Sequence, residues 1–168
     1  MTDALCKLKT LMLAFALIAS VQMKAGAQQD LTFLSPDGQA VPLSSMSGKV
    51  VALVFSGAQD PQCRDEFKAL QSLIERYQGK EVSFFWVSIN SPNEMSNEKL
   101  KAPCGPPLLV PTLRDQGAFR RFGGRQLPTL VILDQQGRIY GQPHGGFNPN
   151  SDFINDIAAI IDGLLIRK

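Results

Sequence analysis

The chemistry this sequence can perform rests on sulfur. It holds three cysteines, Cys6, Cys63 and Cys104, and one histidine, His144. A single imidazole argues against a histidine-built metal centre and against a Ser–His–Asp triad. No cysteine, histidine or carboxylate spacing forms a metal-ligand set, so no metal is expected. Gly57, Gly123 and Gly124 read as turn glycines and not as a phosphate loop, so no cofactor is expected either. Two thiols can exchange disulfides, because a thiolate attacks a disulfide sulfur and displaces the other thiol.

Cys63 stands in Asp60-Pro61-Gln62-Cys63-Arg64-Asp65-Glu66-Phe67, the opening of an expected helix from Pro61 to Gln78. Unpaired N–H groups and the positive dipole end of a first turn stabilise a thiolate, and Arg64 adds positive charge. Asp60 acts the other way: its carboxylate caps the helix and repels a neighbouring thiolate. The sequence leaves that balance open. It also leaves open a plainer reading, in which Cys63 is a small, half-buried helix residue with no chemistry.

The elements that must position these residues begin after an export-like leader. Lys7 and Lys9 precede the apolar run Leu11–Val21, and Ala25-Gly26-Ala27 follows. A basic start, a short apolar core and a small-x-small end describe a secretory signal cleaved after Ala27. The run is short for a bilayer core of about 30 Å, although an uncleaved anchor is the alternative. Cys6 lies ahead of the run, where a lipid-anchor cysteine would not. Residues 28–168 then form a single domain with equal numbers of basic and acidic residues, fourteen each. Neither a nucleic acid nor, after cleavage, a membrane is an expected partner. Periplasmic or secreted placement would let Cys63 and Cys104 form a lasting disulfide.

Within that domain, Leu31–Phe33 and Gln39–Val41 around Asp37-Gly38 predict a hairpin. The continuous apolar runs Val50–Phe55 and Val82–Ile89 predict strands covered on both faces. Between them Phe67, Leu70, Ile74 and Tyr77 recur at helical spacing and Gly79 ends the helix. Strand, helix, strand makes a βαβ unit with parallel strands. A polar, proline-rich insert from Asn90 to Pro107 follows, with a short helix near Asn97–Lys101 and a strand from Leu108 to Leu113. Gly117–Phe122 predicts another short helix. Thr129–Leu133 and Arg138–Tyr140 predict a hairpin. A last helix begins near Asn150, with Phe153, Ile157, Ile160, Ile161 and Leu164 on one face.

This arrangement, with the loop Phe55–Phe67 and the segment Leu127-Pro128-Thr129-Leu130-Val131-Ile132-Leu133-Asp134, resembles the thioredoxin-fold proteins of the TlpA-like (redoxin) family. The resemblance runs from about Leu31 to Leu165. It implies an α/β, thioredoxin-like fold with an N-terminal β-hairpin and an insert after the second central strand. The family carries W-C-x-x-C, then a basic residue and a glutamate on a helix, and later X-Pro-Thr before an apolar strand. Here the motif is degenerate: Asp60-Pro61-Gln62-Cys63 replaces C-x-x-C and Gln59 replaces the tryptophan. In the family the first cysteine attacks and the second resolves, and only the second survives here. The resemblance further implies a cis Pro128 that presents backbone to a substrate peptide.

The two parallel strands should end at one sheet edge, where ligands of open α/β folds collect. Cys63 begins its helix at that edge, the loop bearing Cys104 leaves from it, and Pro128 opens an antiparallel strand there. The implied catalytic residues are Cys63 and Cys104; Asp60, Arg64, Leu127, Pro128 and Thr129 are the implied substrate contacts. A permanent bridge, a cycling pair and two free thiols all remain open. The leading function is an exported thiol–disulfide oxidoreductase with Cys63 as nucleophile, acting on client thiols or disulfides or on a redox partner protein. The alternatives are a peroxiredoxin-like peroxidase, with Cys63 peroxidatic and Cys104 resolving, and a non-catalytic peptide-binding module. The peroxidase reading is weakened by Asp60 and Ser56, which replace that family's threonine and proline. His144 is expected in a loop, Trp86 in the core, and Asp65 and Glu66 at the surface. Arg125 either faces solvent or lines the cleft.

Overall fold

The computed structural model describes residues 31–57, 63–105, 110–146 and 150–167. Their strands are β1 (Thr32–Leu34), β2 (Ala40–Pro42), β3 (Val50–Ser56), β4 (Val82–Ser88), β5 (Thr112–Arg114), β6 (Thr129–Leu133) and β7 (His144–Gly145). Their α-helices are α1 (Cys63–Arg76), α2 (Asn97–Leu100), α3 (Ala118–Arg121) and α4 (Ser151–Ile166). The seven strands form one sheet in the order β2-β1-β5-β4-β3-β6-β7. The β3–β4 and β4–β5 pairs are parallel, and β6 runs antiparallel to β3.

The apolar runs occupy the middle of this sheet because both its faces are covered. On β3, Val50, Ala52 and Val54 join one core while Val51, Leu53 and Phe55 join the other. The same alternation sends Leu130 and Ile132 of β6 to the first core and Val131 and Leu133 to the second, as a two-residue side-chain period requires. The first core lies under α1 and α4, with Phe67, Leu70, Leu73 and Tyr77 from α1 and Ile157, Ala158, Ile161 and Leu164 from α4. Tyr77 ties the two helices together. Its hydroxyl shares a proton between the Ala158 carbonyl (2.8 Å) and Oδ1 of Asp162 (3.0 Å). Burial and the Asp162 contact push its pKa up to about 12.

The second core holds Phe33, Leu43 and Met46 from the N-terminal segment and Ala118 and Phe122 around α3. The expected N-terminal hairpin is present as β1 and β2, paired antiparallel. Its turn closes on Gly38 at φ +78°, a conformation that glycine adopts without steric cost.

Two expectations at the C-terminal side are corrected. Arg138–Tyr140 does not form a strand. Only an isolated bridge between Leu133 and Ile139 survives, beside a tight loop in which Asp134 takes N–H donors from Gln136 and Arg138. The chain leaves the sheet at Gly141 (φ +72°) and returns as β7, so His144 sits in a two-residue strand opposite Leu130 and not in a loop.

The insert after β4 is built from two directions. Met95 and Leu100 are fully buried and drop into the first core. From the neighbouring strand, the buried guanidinium of Arg114 donates to the carbonyls of Asn90 (2.6 Å) and Met95 (2.7 Å) and to Oδ1 of Asn97 (3.1 Å). Burial draws the Arg114 pKa below its ordinary value. Thr112 Oγ1 donates to the Leu100 carbonyl at 2.9 Å, and Ser96 caps α2 by accepting from the Lys99 N–H. The loop that leads to Cys104 is thereby fixed to β5.

Candidate redox site

The site lies where β3 and β4 end together, with Ser56 level with Ser88. In the antiparallel neighbour Thr129 faces Phe55, so Pro128 falls level with Ser56 at the same edge. Cys63 opens α1 there, and the β4–β5 insert brings Cys104 back across the edge. The two cysteines are joined as a disulfide with their Cα atoms 5.7 Å apart, inside the roughly 4.4–6.8 Å that such bridges span. Cys63 exposes only 5% of its surface and belongs to the first core. Cys104 is half-buried, on a loop between exposed Ala102 and half-buried Gly105.

Gly105 is required where it stands. Its φ is +85°, and a Cβ there would lie 3.3 Å from Nη2 of Arg64. The Arg64 guanidinium therefore reaches from α1 to the residue that follows Cys104, while Arg64 itself is exposed. A cation beside a disulfide favours approach of a thiolate and its departure. Asp60 lies outside the described residues.

The Leu127-Pro128 bond is cis. The segment around it is pinned on both sides: Thr129 Oγ1 donates to the Gln126 carbonyl, and the Pro128 carbonyl accepts from the Gly146 N–H at 2.8 Å. Leu127 packs against the second core, whereas Cys63 belongs to the first. Pro128 itself is buried. Arg125 is exposed.

Glu66 is where the expectation fails outright. It was expected at the surface, yet it is fully buried. Its Oε1 accepts from Ser56 Oγ (3.3 Å) and its Oε2 from Trp86 Nε1 (3.1 Å). Burying a carboxyl is costly unless donors surround it, and here the sheet supplies them. The signal that could have found it is its spacing. Position i+3 from Cys63 lies on the same helix face, and Trp86 offers an indole N–H that needs an acceptor when buried. Arg114 was also missed, because it was read as lying just past the end of a strand. Asp65, by contrast, is exposed as expected and pairs with Lys68 at 3.4 Å. Among the described residues no cluster of histidine, cysteine or carboxylate side chains could hold a metal ion.

A disulfide at the carboxyl edge of parallel strands can accept a thiolate and pass on an electron pair. The chain is 27% identical over 132 residues to the thiol-disulfide oxidoreductase ResA of Halalkalibacterium halodurans, covering 76% of this chain and 73% of that protein. Among solved structures it superposes on the pneumococcal exposed lipoprotein thioredoxin of Streptococcus pneumoniae with a TM-score of 0.65. That likeness has 22% identity over 80% of this chain and 99% of the other. A candidate DsbE thiol:disulfide interchange protein of Chlorobium tepidum gives a TM-score of 0.67 at 21% identity, covering 81% and 93%. These two likenesses establish the thioredoxin-like fold. Residues 25–142 match the AhpC/TSA family, more than half of the chain, and with the thioredoxin-like sheet and the disulfide at its edge, the chain belongs to that family.

Proposed function

We propose that this protein is an exported thiol–disulfide oxidoreductase whose redox centre is the Cys63–Cys104 pair. The carrying observation is the disulfide itself, which links the start of α1 to a loop at the edge where Pro128 also stands. It supplies an oxidised pair although C-x-x-C is absent. The likeness to ResA supports the same chemistry. Export is supported by the leader-like residues 1–27, which fall outside the described residues, and by a disulfide in a chain otherwise poor in cysteine. The partners are client protein thiols or a redox protein that renews the pair.

A client dithiol gives up two electrons and two protons and becomes a disulfide, and the Cys63–Cys104 bond opens to two thiols. In the other direction the reduced pair reduces a client disulfide. Half-buried Leu127 and exposed Arg64 flank the surface on which the client backbone lies, with buried Pro128 and Thr129 behind it.

The test uses the purified protein and a peptide carrying two cysteines. Oxidised protein is expected to convert the dithiol peptide to its disulfide stoichiometrically, with Cys63→Ser and Cys104→Ser each abolishing the reaction. Conversion that survives both substitutions would overturn this reading. Peptide binding without any conversion would leave a binding module, and hydrogen peroxide consumption lost in Cys63→Ser would favour the peroxidase.

A further inference from the structure

We infer that Cys104, not Cys63, is the sulfur that partner thiols attack, and that Cys63 is the resolving thiol. This assignment rests on the oxidoreductase reading above and reverses the order expected from the sequence. Exchange requires the attacking sulfur to approach the target along the S–S axis, so access decides which sulfur is struck. Cys63 is 95% covered, in the core cluster that also holds Phe67 and Trp86. Cys104 packs against the same cluster but is only half-buried, on a loop with exposed Ala102 and buried Pro103 before it and Gly105, bare of a side chain, after it. The Arg64 guanidinium lies against Gly105 and offers positive charge to an incoming thiolate.

The leaving group agrees with the same direction. When a thiolate strikes Cys104, the bond to Cys63 breaks and Cys63 departs as a thiolate in the first turn of the 14-residue helix α1. Helix N–H groups stabilise that charge, and a more stable thiolate leaves faster. Cys104 now holds the partner in a mixed disulfide. The partner's second thiolate attacks its own bridged sulfur, closes the partner disulfide and releases Cys104 as a thiolate. Both protein sulfurs take up protons, and two electrons have moved from partner to protein. In the reverse direction Cys104 attacks a partner disulfide and Cys63 resolves the mixed species. The attacking sulfur that begins a C-x-x-C motif is thus supplied by the loop after β4.

The assignment is read directly by trapping. Oxidised wild-type protein is mixed with glutathione, acid-quenched within seconds, alkylated and digested with trypsin, which leaves Cys63 in residues 50–64 and Cys104 in residues 102–114. Glutathione is expected on the Cys104 peptide and the alkyl group on the Cys63 peptide, with a preference of roughly tenfold or more. Glutathione mainly on Cys63, or equally on both, would overturn the assignment while leaving the oxidoreductase reading intact. No adduct and no free thiol under native conditions would overturn both.

Discussion

Two acidic side chains show how far a residue's surroundings can be read from the chain. Asp134 follows β6 in a turn-like Asp134-Gln135-Gln136-Gly137, and its carboxylate duly caps the turn. It accepts from the Gln136 and Arg138 N–H groups and pairs with the Arg138 guanidinium at 2.8 Å. Partial burial raises its pKa, but the Arg138 and Gln136 contacts outweigh that and leave it below its ordinary value of 3.8. A lowered carboxylate stabilises the fold above its unfolded pKa and loses that contribution as pH falls through the folded one. Asp134→Asn should therefore lower the urea midpoint at neutral pH, with the difference from wild type shrinking below about pH 4. A difference that persists unchanged into acid would contradict this. Glu66 could not be read in the same way. The helix pattern allows it to face outward; its i+3 spacing from Cys63 points inward, and the registry of Ser56 and Trp86 on two strands shows that donors await it there.

At the scale of elements, the strands and helices that carry the cores were legible because their periods are clean. The insert was not legible to the same degree. Its short helix was expected and is present, but its attachment depends on Arg114, a charged residue that periodicity places nowhere in particular. Three neutral acceptors from the insert hold this guanidinium. Removing it leaves the Met95 carbonyl without this buried donor, at a cost of about 1–3 kcal/mol for a buried polar group left unmade, offset in part by no longer burying a cation. Arg114→Met should therefore destabilise the protein by about 1–3 kcal/mol in urea unfolding and speed amide exchange across residues 89–105 more than across α4. Uniform exchange rates between those two regions would show that Arg114 does not anchor the insert.

For the whole molecule, the fold follows from the sequence through the order of its elements. The site follows only in part, because Asp60-Pro61-Gln62-Cys63 names one sulfur and topology must supply the other. The parallel pairing of β3 with β4 fixes which edge the insert leaves from, which is why Cys104 was expected near Cys63. Which sulfur is accessible depends on packing, and the sequence holds no direct sign of it. Closing a loop with a sequence separation of 41 is worth about 4 kcal/mol of chain entropy, whether the bridge is permanent or cycles, so stability alone does not separate the two. The direct measurement is an equilibrium titration of the native protein in glutathione or dithiothreitol redox buffers, following the Cys63 and Cys104 thiols by alkylation and mass. A reversible two-electron transition, complete while the circular dichroism of the folded state is unchanged, is the expected result. A bridge that opens only when the protein is unfolded would contradict a redox role for the pair.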